Sequence, residues 1–162
     1  MRAGGGTLVC ITLALVVLGS SQAQAAEFSA QDAAAVRKLF DDTVRYIRAN
    51  NWTAWAGQWS EDAVLQPPNA PGVKGRTAIL AWGQAFPPIE TLSFSNVQVW
   101  GDRNLAYGTS AYALTIKGSP PDSGKQLIVF RRSPSGKWEV VAGSFNSDVP
   151  VPAQTQVAAP KK

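Results

Sequence analysis

The stretch Trp55–Thr77, WAGQWSEDAVLQPPNAPGVKGRT, constrains this chain more than any other. An aromatic helical end runs into the acidic turn Ser60-Glu61-Asp62, then into a short strand over Ala63–Gln66. Pro67, Pro68, Pro71 and Gly72 follow and exclude regular structure there. Gly75-Arg76-Thr77 then opens a new helix. The pattern before this stretch is helical and the pattern after it is strand-like. A chain sorted in that way predicts an α+β layer, with helices covering one face of a sheet.

Upstream, Ser29 to Asn50 reads as one amphipathic helix. Ser29 with Asp32 resembles a capping box, with Asp in place of Glu. Val36, Phe40, Thr43, Val44 and Ile47 recur at three- and four-residue steps and form the apolar face. Arg37, Lys38, Asp41, Arg45 and Arg48 form a solvated face, on which Asp41 and Arg45 stand at i,i+4. Asn50-Asn51 breaks the helix, and Asn51 can cap the next one. Trp52, Trp55 and Trp59 then make an aromatic stripe that reads either as core or as the wall of a ligand pocket. Asn51-Trp52-Thr53 also fits a glycosylation sequon, which matters only in a eukaryotic secretory pathway.

Downstream, the third helix runs to about Phe86 and stops at Pro87-Pro88. Four strands follow, over Leu92–Trp100, Leu105–Lys117, Lys125–Arg132 and Lys137–Asn146, joined by Gly- and Pro-rich turns. Consecutive strands with short turns predict an antiparallel meander. Val97, Val99, Trp100, Val129 and Val140 offer more apolar surface than one helical layer covers, so the outer sheet face predicts a homodimer.

The ends read differently. Arg2, the apolar run Leu8–Leu18 and Ala23-Gln24-Ala25 have the plan of a secretory signal peptide, residues 1–25, so the chain is expected to be secreted or periplasmic. The run is too short to span a bilayer, and no stable membrane anchor is expected after cleavage. Residues 26–149 form the domain, and 150–162, rich in Pro, Ala, Gln and Lys, predict a disordered tail. The sole cysteine, Cys10, leaves with the signal peptide, and the chain has no histidine. Thiol nucleophiles, disulfides, a Ser-His-Asp triad and the usual zinc sites are thereby excluded from the mature domain. No metal or other cofactor is called for. From Glu27 to Pro150 twelve Lys or Arg face eleven Asp or Glu, which supplies no basic stripe for nucleic acid.

Three motifs give the chain a family likeness. Trp59-Ser60-Glu61-Asp62-Ala63-Val64 resembles the aromatic, acidic turn into the first strand of the nuclear transport factor 2-like superfamily. Gly75-Arg76-Thr77-Ala78-Ile79 resembles the start of its third helix, and Gly136-Lys137-Trp138-Glu139-Val140 its turn into the last strand. The superfamily includes ketosteroid isomerases and SnoaL-like polyketide cyclases, and Phe145-Asn146-Ser147-Asp148 resembles the ending of secreted members without an assigned function. The likeness spans residues 29–148. It implies a cone-shaped roll, three N-terminal helices packed on a curved, mostly antiparallel sheet.

The isomerase chemistry does not follow from this likeness. The general base of those enzymes falls at Pro67, the phenolic donor at Thr43 and the second acid at Ile128. Proline has nothing to ionise, so the base position is empty.

The cone implies a cavity drawing on Phe40, Thr43, Trp55, Trp59, Gln66, Trp82, Phe86, Tyr112, Gln126, Ile128 and Asn146. Such a lining suits a small hydrophobic molecule held by one or two hydrogen bonds, and suits a filled core equally. Three classes stay open: a binding module, an enzyme of the cyclase, isomerase or hydrolase type using Asp, Tyr or amide groups, and a homodimeric association module. Asp42 and Tyr46 are the acid and phenol nearest the expected cavity on the first helix. Their phase sets them beside it.

Overall fold

A computed structural model describes residues 27–150. The expected signal peptide and nearly all of the expected tail lie outside the described residues.

Helix α1 spans Ala30–Arg48. It begins where the sequence asks it to. The Ser29 hydroxyl accepts from the Asp32 amide at 3.0 Å, and the Asp32 carboxylate accepts from the Ser29 amide at 3.3 Å. Its surface ion pairs differ from expectation. Arg45 reaches Asp42 at 2.7 Å, and Lys38 reaches the same carboxylate at 2.6 Å. The i,i+3 partner therefore takes Arg45 from Asp41, and a second cation holds Asp42 in place.

Helix α2 is only Trp52–Ala56, with the Asn51 side chain accepting from the Ala54 amide at 3.0 Å. Trp59 is not on that helix. It opens strand β1, Trp59–Gln66, which starts four residues earlier than the pattern suggested. The helix stops at Gly57, and the Gln58 carbonyl accepts from the Val140 amide at 2.8 Å. Pairing with the distant last strand thus overrides the local helical spacing.

A two-residue strand, β2 (Val73–Lys74), pairs back on β1, and α3 spans Arg76–Gln84. Gly75 holds φ +89°, which a side chain would strain, and its amide donates to the Ala63 carbonyl at 2.7 Å. Arg76 donates to the Trp59 carbonyl and pairs with Glu61, so α3 is stapled to β1.

Strands β3 (Ile89–Gly101), β4 (Leu105–Ile116), β5 (Asp122–Arg132) and β6 (Trp138–Ser147) complete a six-stranded sheet of order β2-β1-β6-β5-β4-β3. Only the β1–β6 pair is parallel. The register shifts in β3 between Ser95 and Gln98, where Asn96 has φ 53°, and between Val129 and Phe130 across β5 and β6. Bulges of this kind bend a sheet, and here they accompany a curved surface that receives the helices. The result is an α+β cone.

The helices and the concave face close on an aromatic core. Phe40 meets Phe130 at 5.7 Å and Phe94 at 5.9 Å between ring centroids. Trp138 is buried, lies under the Arg132 guanidinium at 4.5 Å and donates to Asp32 at 3.3 Å, tying β6 to the start of α1. The bulges also redistribute the valines. Val97 and Val99 pack toward the core and Val140 is buried opposite Phe130. They are therefore not part of the outer face. That face instead carries Trp100, stacked on its cross-strand partner Tyr107 at 5.1 Å, with Leu105 and Leu127 also exposed.

Candidate ligand cavity in the cone

Between the helices and the sheet lies a cavity of about 150 Å³. Helix α1 contributes Leu39, Phe40, Thr43 and Ile47, α2 contributes Trp52 and Trp55, and α3 contributes Trp82 with Phe86 just beyond its end. The strands add Trp59, Leu65, Leu92, Phe94, Tyr112, Leu114, Gln126, Ile128, Phe130 and Phe145, among others.

The tryptophans form a connected wall. Trp55 stands 5.6 Å from Trp59 and 6.5 Å from Trp82, and Trp82 meets Phe86 at 4.6 Å and Phe145 at 6.1 Å. Three of these four pairs are edge-to-face, a geometry that stabilises beyond what burial alone gives. Two glycines let the indoles seat. A Cβ at Gly83 would stand 2.6 Å from the Trp52 ring, and one at Gly143 would stand 2.8 Å from Trp59.

Most of the expected lining is here, but Gln66 and Asn146 are not. Both are exposed, and Leu65 and Phe145 take their places. The cause is strand parity. Phe145 lies opposite Gln126 and shares its inward face, so Asn146 turns out; on β1, Leu65 turns in and Gln66 out. On β6 the extra residue Val141, skipped in the pairing with β5, moves the inward set from Trp138 and Val140 to Gly143 and Phe145, whereas Leu65 keeps the parity of Trp59 and Ala63 on β1.

Indole nitrogens apart, three polar side chains line the cavity. The Thr43 hydroxyl donates to Gln58 Oε1 at 2.9 Å, and Gln58 Nε2 donates to the Leu39 carbonyl at 3.0 Å. Gln126 Nε2 donates to the buried Ser110 hydroxyl at 2.8 Å. Tyr112 donates its phenol proton to Asp122 Oδ2 at 2.9 Å, and Ser147 donates to the other oxygen of that carboxylate. Burial pushes the Tyr112 phenol far above its usual range, and the hydrogen bond to Asp122 and the nearby carboxylates add to this. Gly124 keeps the contact open, because a Cβ there would meet the phenol oxygen at 2.7 Å.

No Asp, Glu, Lys or Arg is among the lining residues. The carboxylates have other partners. Asp42 is held by Lys38 and Arg45, Asp62 pairs with Arg131 at 2.9 Å, and Asp148 pairs with Lys125. Tyr46 lies under Arg45, off the cavity. Thr43 and Ile128 line the cavity, whereas Pro67 is buried beyond the end of β1 and does not. Asp122 escaped sequence reasoning because Pro120-Pro121 read as a loop continuing to Gly124. No local signal marked it, because its place opposite Leu114 is set by the β4–β5 register.

A scan of family models and a search of curated proteins find no match to this chain. Solved structures do match. A protein of unknown function with a cystatin-like fold from Nostoc punctiforme superposes with a TM-score of 0.67 at 16% identity, over 78% of this chain and 98% of its own. A nuclear transport factor 2-like protein of unknown function from Pseudomonas putida gives 0.67 at 18%, over 79% and 93%. A ketosteroid isomerase-like protein from Erwinia carotovora gives 0.64 at 16%, over 75% and 100%.

Proposed function

We propose that this chain, which has the nuclear transport factor 2-like fold, is an exported binding module that takes a small, largely apolar molecule into its cone. One observation carries the reading: a cavity of about 150 Å³ walled by aromatic and aliphatic side chains, with no charged side chain on its lining. A space of that size and polarity accepts a single aromatic ring. The same lining argues against isomerase chemistry, which needs a proton acceptor within reach of the substrate. Tyr112 is the one ionisable lining group, and it is held as a neutral phenol. Export rests on the charged start, apolar run and Ala23-Gln24-Ala25 of the sequence.

Covering both faces of one ring removes about 200 Å² of apolar surface, or ~5 kcal/mol before association costs. On its own ~5 kcal/mol corresponds to a Kd of roughly 0.2 mM, and association costs weaken it, so a Kd between about 0.2 mM and a few mM is expected. Titrating the exported protein with toluene, followed by tryptophan emission, tests this. A saturable change in that range supports the reading, and a flat or purely linear response refutes it.

A second reading concerns assembly. Trp100, Tyr107, Leu105 and Leu127 leave an apolar patch on the outer sheet face, of the kind that marks an interface, and a homodimer through it is compatible with an occupied cone.

A further inference from the structure

Two hydroxyls at the cavity, those of Tyr112 and Thr43, have their protons committed to the protein. A carboxylate only accepts, so Tyr112 must donate to Asp122. Gln58 has its nitrogen on the Leu39 carbonyl, which turns its oxygen to Thr43, so the Thr43 hydroxyl must donate as well. Gln126 donates one amide hydrogen to Ser110 and keeps the other. The two hydroxyls therefore offer oxygen lone pairs to a ligand, through Tyr112 Oη and Thr43 Oγ1. Burial and the neighbouring carboxylates keep the phenol protonated, so its oxygen is a neutral acceptor rather than an anion.

We propose that the cavity selects neutral apolar molecules bearing one hydrogen-bond donor, a phenol or compact alcohol, over ethers and carboxylates of the same shape. Tyr112 Oη is the acceptor, and Asp122 is the positioning residue that fixes which way the phenol proton points. This rests on the cone being a ligand site. An ether brings its own lone pairs against these two oxygens and leaves them without a donor. A carboxylate meets no lining cation and loses its hydration.

Asp122 sets the direction through a simple geometric choice. Its Oδ1 accepts from Ser147 and its Oδ2 from Tyr112. In Asp122→Asn the amide oxygen can keep Ser147, which turns the NH2 group toward Tyr112. The amide then donates to the phenol oxygen, and the phenol proton is released to the cavity. The site changes from acceptor to donor while its apolar walls stay the same.

The test is calorimetric titration of the exported protein with phenol, anisole, acetophenone and benzoate. Phenol should bind about tenfold tighter than anisole, the worth of one good hydrogen bond, even though burial alone ranks the ether first. Benzoate should not bind. Tyr112→Phe should bring phenol and anisole to within about twofold, with anisole affinity kept as evidence that the cavity survives. Asp122→Asn should raise acetophenone affinity and lower that of phenol, and it decides alone should Tyr112→Phe not fold. Equal binding of phenol and anisole to the parent, or an unchanged preference in Asp122→Asn, overturns the donor rule and leaves the ligand site standing. Failure of all four probes to bind overturns both.

Discussion

Replacing Trp59 with alanine removes the joint between the tryptophan wall and the sheet. Trp59 is 4% exposed, sits 5.6 Å from Trp55, and rests on the bare backbone of Gly143. Truncating a buried aromatic costs about 3–5 kcal/mol, and the upper half of that range applies because the edge-to-face contact with Trp55 is lost too. For a domain spanning residues 27–150, a melting entropy of ~2.1 cal/mol/K per residue gives ~0.26 kcal/mol/K. A loss of ~4 kcal/mol then lowers Tm by about 15 °C. The void left behind joins the existing cavity, so a saturating aromatic ligand should recover more Tm in the variant than in the parent. At one hundred times Kd the recovery is about 2.7 kcal/mol. Differential scanning calorimetry with and without toluene reads both effects. A fall of less than ~5 °C would refute the reasoning, because Trp59 would then not be a packed element of this wall.

Three further outcomes follow. Gln66→Leu should leave stability within about 0.5 kcal/mol and leave toluene affinity unchanged, since the side chain is exposed and off the cavity; weaker binding would return Gln66 to the site. Light scattering should show a dimer for the parent and a monomer for Trp100→Glu with Leu127→Glu, and a monomeric parent would remove the outer-face interface. The Arg132 guanidinium, aided by Ser29 and Trp138, holds the Asp32 carboxyl at about 2 against an ordinary 3.8. A depressed carboxyl contributes stability that is fully present above its ordinary range and is lost as pH falls toward 2. Urea midpoints for Asp32→Asn should therefore decline less between pH 5 and pH 2 than those of the parent, and parallel declines would show that the pair carries no linkage.

The architecture was legible because its signals are local. The Ser29–Asp32 box, the Asn51 cap, the proline loop and the Gly75 and Gly136 turns each fix an element boundary by backbone chemistry. The motifs that carried the family likeness prove to be staples: Arg76 joins Glu61 and the Trp59 carbonyl, and Trp138 joins Asp32. They hold the fold, and the cavity chemistry lies elsewhere. What escaped was set over long distances. Trp59 is a strand residue because Val140 recruits its neighbour, and Val97 and Val99 face inward beyond a bulge that no local pattern announces. A one-residue difference of parity on each of two strands exchanged Leu65 for Gln66 and Phe145 for Asn146. The Tyr112–Asp122 pair required the β4–β5 register, which brings residues ten apart in sequence into contact.

The most direct test of the ligand site is a crystal structure of the exported protein grown or soaked with toluene at saturating concentration. The account predicts ring-shaped density bounded by Trp82, Phe145, Ile128 and Tyr112, with the Tyr112–Asp122 hydrogen bond kept at about 2.9 Å. Side chains closed over that space, with no density under conditions that saturate binding in solution, would contradict it.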